Sequence, residues 1–332
     1  MRILITGSEG VLGSTLKAEL RRRGYALTYG CDLQHCEDPY VTRADVSEYR
    51  QIRRVFEKTR PDIVYHFAAE FGRKNGQDYY EQLWKTNCIG TRNVVDLCTE
   101  FKARMIFASS SEAYGMSEGY LLCDRPLSEN FLDLYPPQFH NEYALTKYTN
   151  ERQITLAARN QNLDAMILRF FNVYGPPEPY NPYRSVVCLF TYHLLKGLPI
   201  TVYKNSYRSH LWIGDWANTV ANIVEPEWGG VTSFNRDWPG SGRTPYVPVF
   251  NIGGAKKEST LGMLNLLRGI IAEKGIPDIV GEITIKDDEG SNVASKEPDN
   301  DLAKLWLGHN PTKPFEEGLR ETVDYFREIY GS

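Results

Sequence analysis

Short apolar runs and helix-spaced apolar positions alternate through the first half of this 332-residue chain. Residues 2–6 form a compact apolar run, and residues 13–23 space their apolar side chains as a helix does until Gly24 closes the pattern. The alternation continues with a strand over 26–31, a helix over 46–59 and the apolar run DIVYHF at 62–67. A helix over 80–101, a strand over 104–109, a long helix over 143–160 and the strand DAMILRF at 164–170 complete it. Strands separated by helices are joined by crossovers and run parallel, so the predicted class is α/β with a doubly wound parallel sheet.

The texture changes after Pro176. PPEPYNPYR reads as loop, followed by a helix over 186–196 and the short strand ITVY. Residues 226–248 form a Pro-, Gly- and Trp-rich stretch, too long for an ordinary connection and read as a functional or lid-like loop. VFNIGG at 249–254 is a late strand, and helices follow over 261–274 and 315–329. The expected division is a first domain over 1–176, completed by segments near 211–225 and 249–254. Residues 177–332 then form mainly a smaller, interleaved substrate-facing lobe.

Composition narrows the options. With 42% hydrophobic and 24% charged residues, the chain can bury a sizeable core, and its net charge of -4 gives no electrostatic reason to expect nucleic acid or a membrane surface as partner. Six cysteines show neither a CxxC pair nor a framework spacing, which reads as reduced thiols in a cytoplasmic protein. MRILIT starts directly on a strand, without a basic-then-apolar leader, and no apolar run is long enough to span a bilayer. Six histidines lie scattered without metal-ligand spacing, so no metal site is expected.

Three stretches carry candidate chemistry. GSEGVLG (Gly7, Gly10, Val11, Leu12, Gly13) lies between the first strand and the first helix, where glycines let the backbone approach a pyrophosphate at a helix amino terminus. Asp32 ends the second strand, placed to accept hydrogen bonds from an adenosine ribose and to repel a 2'-phosphate, which favours NAD over NADP. Asp45 and Val46 are candidates for the adenine edge. Tyr143 and Lys147 open the long helix four residues apart and share a face, so the ammonium is expected to lower the phenol's pKa. FASSSEAYG, finally, puts Ser109, Ser110, Ser111 and Glu112 at the carboxyl end of a core strand, where either orienting a ligand or capping the backbone would explain them.

With these motifs the chain resembles an extended short-chain dehydrogenase/reductase of the nucleotide-sugar epimerase/dehydratase group, built on a Rossmann domain. The resemblance also rests on His66-Phe-Ala-Ala69, Lys85-Thr-Asn87-x-x-Gly90-Thr91, RFFNVYGP at 169–176, Arg208 ahead of Asp215, FNIGG and LGHNP, all in family order. It implies bound NAD, with Phe67, Ala68 and Ala69 among its contacts and Lys147 at the nicotinamide ribose. It implies oxidation of a nucleoside-diphosphate sugar at C4, with Tyr143 taking the hydroxyl proton and Ser110 hydrogen-bonding that hydroxyl. Asn172, Arg184 and Arg208 are implied on the substrate side, Arg208 facing phosphate, and a homodimer is implied through the helices at 80–101 and 143–160.

The fate of the 4-keto sugar turns on Glu112. Ser110-Ser111-Glu112 resembles the Thr-Ser-Glu of GDP-mannose 4,6-dehydratases and UDP-glucuronate decarboxylases, whereas dTDP-glucose 4,6-dehydratases carry an acid where this chain has Ser111. The resemblance therefore implies dehydration or decarboxylation assisted by Glu112. Simple 4-epimerisation, release of the 4-keto sugar, and a nucleotide-sensing scaffold are the alternatives. The arginine of the decarboxylases is missing from SNVASKEPDNDLAKLWLG, where Ser295 and Lys296 stand instead, and Arg73 is the candidate cation for a substrate carboxylate.

Overall fold

The computed structural model describes residues 1–115, 126–225, 247–276, 281–287 and 295–331. From the amino terminus, β1 (Ile3–Thr6) leads into α1 (Val11–Arg22), then β2 (Thr28–Asp32), β3 (Val41–Arg43), α2 (Tyr49–Thr59) and β4 (Ile63–His66). The short α3 (Arg73–Asp78) and α4 (Tyr80–Trp84) run through a π-helical stretch, Lys85–Gly90, into α5 (Thr91–Phe101). β5 (Arg104–Ser110) ends in a 3-10 turn over Ser111–Tyr114, and α6 (Phe131–Leu134) and α7 (Glu142–Gln161) precede β6 (Ala165–Phe170). The remainder is β7 (Val173–Tyr174), α8 (Val186–Lys196), β8 (Ile200–Tyr203), β9 (Tyr207–Ser209), β10 (Leu211–Trp212), α9 (Ile213–Asn222), β11 (Val249–Ile252), β12 (Lys257–Ser259), α10 (Thr260–Glu273), β13 (Ile283–Lys286), β14 (Ser295–Lys296), α11 (Asp301–Leu307) and α12 (Phe315–Tyr330).

The main sheet has seven strands in the order β11-β6-β5-β4-β1-β2-β3, all parallel. Both faces are buried, and the period-2 alternation of a strand divides its side chains between them. Ile3 and Ile5 pack with Leu16, Trp216 and Val220 beneath α1 and α9, while Leu4 packs with Val55, Leu97 and Ile154 beneath α2, α5 and α7. A third apolar cluster, including Val187, Leu194, Val202, Leu267 and Phe326, holds the carboxyl-terminal lobe together. In that lobe β9 lies between β12 and β14, which sets Lys296 beside Arg208 in register.

The elements depart from expectation in three places. The helix expected over 80–101 is interrupted by the π-helical turn, against which two amides of α7 dock: Asn150 Nδ2 donates to the Asn87 carbonyl at 2.9 Å and Gln153 Nε2 to that of Cys88 at 3.2 Å. β3 is an addition to the expected strands, because VTR is too short to show a period. Residues 226–246 of the expected lid-like loop lie outside the described residues. No described helix is long and apolar enough to cross a membrane.

Candidate active site

The sheet's carboxyl edge and the second lobe enclose one cleft of about 900 Å³, reaching from Gly7 and Asp32 past Tyr143 to Arg184 and Arg208. At one end the first turn is closed to side chains. Gly7 has φ +70°, and a Cβ there would sit 2.7 Å from the Ala68 amide nitrogen; at Gly13 it would sit 2.1 Å from the Gly7 carbonyl oxygen. No side chain caps α1 and no acid lies in its first turn, which leaves its amides to an anion. Asp32 is fixed by two backbone donors, Glu9 N–H at 3.0 Å and Gln34 N–H at 3.1 Å. This cradle fits NAD, with its pyrophosphate at the turn and its adenosine ribose at Asp32.

Val11, Leu12, Val46, Phe67, Ala68 and Ala69 line the same end of the cleft. Asp45 lines it too, but its carboxylate accepts from Ser47 N–H and Oγ–H at 2.8 and 2.7 Å, a local turn. The loop after β4 is pinned by buried Asn87, whose amide accepts from Glu70 N–H at 2.8 Å and donates to the Glu70 carbonyl and to Thr146 Oγ.

At the centre, the polar strand end resolves into separate tasks. Ser109 points into the protein and donates to Glu151 at 2.6 Å. Ser110 caps the 3-10 turn by accepting from Glu112 N–H, and its hydroxyl also bonds the Tyr143 side chain. Ser111 lines the cleft. Asn141 caps α7, accepting from Ala144 N–H at 2.8 Å, so the first turn of that helix presents Tyr143 to the cleft. Lys147 follows one turn later, and its ammonium donates to the Ala108 carbonyl at 2.7 Å.

The electrostatics correct one expectation. Burial pushes the Tyr143 phenol up, Ser110 opposes that, and Glu112 adds to it; the lysine does not lower it. The reason is geometric: Lys147 Nζ lies 5.7 Å from the phenol ring centre and spends its bond on the backbone of β5. Lys147 itself is pushed down to about 8 by burial, with Glu151 foremost in keeping it charged.

Glu112 does not face solvent alone. Lys296 Nζ donates to its carboxylate at 2.5 Å, and Asn141 Nδ2 approaches the other oxygen at 3.5 Å. Burial would raise Glu112, but Lys296 foremost, then Arg73 and Arg208, overcome this and hold it well below the usual carboxylate range. The site thus gathers three cations around one carboxylate, two of them on adjacent strands. Arg184 stacks on Phe71 at 4.3 Å across the cleft mouth, and Asn172 donates to the Ser209 carbonyl at 3.0 Å.

Sequence reasoning leaves Lys296 unassigned and misses Glu151 and Arg169. Arg169 is visible as the lone charge inside the apolar run MILRFF, and Glu151 as the next acid on the Tyr143–Lys147 face. Lys296 gives no local signal, since β14 is only two residues long. Among the described residues no cluster of three or more His, Cys, Asp or Glu side chains is placed to hold a metal, and Cys31, Cys36, Cys88, Cys98 and Cys188 are free thiols.

Comparison with known proteins gives this geometry a family. The model of the NAD dependent epimerase/dehydratase family matches residues 3–232. The UDP-N-acetyl-alpha-D-glucosaminuronate decarboxylase of Bacillus cytotoxicus is 26% identical over 99% of this chain and 98% of its own. UDP-glucuronate 4-epimerase 1 of Arabidopsis thaliana is 25% identical over 99% of this chain and 77% of its own. The crystal structure of UDP-glucose 4-epimerase from Thermotoga maritima with UDP-glucose superposes with a TM-score of 0.81 at 25% identity, covering 99% of each chain.

Proposed function

The chain belongs to the NAD-dependent epimerase/dehydratase family, and on that premise we propose that it decarboxylates a nucleoside-diphosphate uronate by way of C4 oxidation. The observation that carries this reading is the Lys296–Glu112 pair, joined by Arg73 and Arg208, beside Tyr143 in the cleft. A neutral hexose gives such a cation group nothing to bind at the sugar, whereas a uronate brings a carboxylate as well as its diphosphate.

NAD, when bound, supplies the reversible oxidation at C4. Gly7, Gly10, Val11, Leu12, Gly13 and Asp32 would hold it at one end, and Phe67, Ala68, Ala69, Tyr143 and Lys147 at the other. Tyr143 takes the C4 hydroxyl proton as its phenolate, the form that the positive charge of the oxidised nicotinamide would favour, and Ser110 orients that hydroxyl. Once C4 is a ketone, the C6 carboxylate is β to it. The C5–C6 bond breaks, carbon dioxide leaves, and the electron pair passes to the C4 oxygen. Tyr143 and Ser110 hydrogen-bond that oxygen as its charge grows. Glu112, kept ionised, and Lys296, its proton-bearing partner, serve the return of a proton to C5. Arg208 and Asn172 face the diphosphate, and Arg184 orders the cleft mouth.

The same reading divides the chain into a cofactor domain over 1–176, completed near 211–225 and 249–254, and a substrate lobe over 177–332. It makes the protein a cytoplasmic homodimer, supported by exposed Ile89, Leu145 and Leu156 on the π-helical stretch and α7. Leu145 and Leu156 fall about three turns apart on one face.

The test is the mass of products from a panel of UDP-, GDP-, dTDP- and CDP-sugars, uronates included, incubated with enzyme and NAD. Loss of carbon dioxide from a uronate is the expected result. Loss of water from a hexose would replace this reading with dehydration. An unchanged mass with an inverted sugar would replace it with 4-epimerisation.

A further inference from the structure

Beneath the cleft lies a charged pair that the proposed reaction does not use. Glu151 and Arg169 are both buried, and their side chains are 0% and 2% exposed. The guanidinium of Arg169 is bidentate on the carboxylate, Nε to Oε1 at 2.9 Å and Nη2 to Oε2 at 2.7 Å. Ser109 donates to Oε1 at 2.6 Å. Arg169 is fixed in turn, donating to the Glu129 carbonyl at 3.0 Å and lying 4.6 Å over the Tyr114 ring. Three elements, β5, β6 and α7, therefore converge on a single carboxylate.

Such an arrangement is costly as a stabilising device, because taking two charges out of water offsets most of their attraction. Its position suggests a different use. Tyr143, Lys147 and Glu151 recur every fourth residue along α7 and form one column, with Glu151 one helical turn beyond Lys147. The other groups around Lys147 are Tyr143 from α7, Cys88 from the π-helical stretch, His66 from β4, and the Ala108 carbonyl and Phe107 ring from β5. His66 is held neutral by burial and by Lys147, and burial raises the Cys88 thiol, so neither carries charge near neutrality. Burial would likewise raise Glu151, but Arg169 and then Ser109 keep it ionised. Glu151 is thus the one fixed anion on this side of Lys147 among the described residues.

We propose that Glu151, locked by Arg169 and Ser109, is a positioning residue that keeps the buried Lys147 ammonium charged while the Ala108 carbonyl of β5 directs it. The carboxylate touches neither sugar nor cofactor. It acts through Lys147, and Arg169 keeps it from protonating or turning away. The three serines of FASSSEAYG therefore face two ways: Ser109 serves this inner network, while Ser110 and Ser111 serve the cleft.

The proposal rests on the assignment of Lys147 to the cofactor and tyrosine. Its test needs no sugar, so its failure and the failure of that assignment are separable. Competitive labelling of the purified protein with acetic anhydride across pH, read by peptide mass spectrometry, gives the midpoint at which the Lys147 amine becomes nucleophilic. Glu151→Gln is expected to lower that midpoint by about one unit, making the neutral amine about tenfold more abundant at a fixed pH below it. Glu151→Asp is expected to restore it. The midpoint for NAD binding against pH should move the same way. Because Glu151→Gln leaves Arg169 buried without its partner, the double variant Glu151→Gln/Arg169→Met is measured beside it and is expected to show the same fall. A Lys147 midpoint unchanged in either folded variant would overturn the proposal.

Discussion

At the scale of the residue, the cleft sorts side chains that look alike in sequence. Glu112 and Glu151 both lie beside cations, yet Glu112 is half-buried and opens to the cleft while Glu151 is sealed beneath it. Glu112→Gln is predicted to suppress formation of the finished pentose, because the return of a proton to C5 is what it serves, while leaving NAD affinity within about twofold, since it removes no cofactor contact; product mass and calorimetric titration check the two halves. Asp32→Ala is predicted to weaken NAD by roughly tenfold or more, the worth of a charge-assisted hydrogen bond of about 1.5–3 kcal/mol, measured by the same titration. The pH dependence comes from Lys147. Its folded pKa of about 8 lies below the ordinary 10.5, so the charged, working form is present below about 8 and is lost as pH rises through it. NAD binding should weaken above that pH with a one-proton slope. The same shift means that the folded state holds fewer protons than the unfolded one between the two values, so this group's cost to stability is relieved as pH rises across that window.

At the scale of the element, legibility tracks length and period. α7, α8, α10 and α12 carry enough turns for a helical pattern to show, and their observed bounds fall within a residue or so of those expected. β3, β7, β10 and β14 are two or three residues long, held by pairing with other strands, and no local pattern announces them. The cofactor turn can be read because its chemistry is local: a strand, three glycines and a helix. Lys296 cannot, because it reaches Glu112 only after β14 has docked on β9, across a sequence separation of 184 residues. The lysine's effect on Tyr143 is misjudged from sequence because a helical spacing of four says that two side chains share a face, not where their ends point. The π-helical turn makes its own prediction. Asn87→Ala would leave the Glu70 N–H and C=O without their partner in a half-buried loop, costing at most about 1–3 kcal/mol for each group left unsatisfied. A fall in the thermal midpoint with the NAD site otherwise intact is the expected result.

At the scale of the whole molecule, the sheet and the second lobe contribute opposite halves of one site. The sheet edge supplies the glycine turn and Asp32, α7 supplies Tyr143, and the lobe supplies Arg208 and Lys296 from neighbouring strands. Ligands spanning both should stabilise the protein together. NAD and the matching nucleoside diphosphate, each at a hundred times its dissociation constant, should each add about 2.7 kcal/mol, seen as a selective rise in melting temperature. The measurement that bears most directly on decarboxylation is the reaction of UDP-glucuronate with enzyme and NAD in deuterated water, with mass spectrometry and NMR of the product. The expected product is a pentose that has lost carbon dioxide and gained one deuterium at C5, with none of it formed by Glu112→Gln. A product of unchanged mass, inverted at C4 and free of deuterium, would contradict decarboxylation.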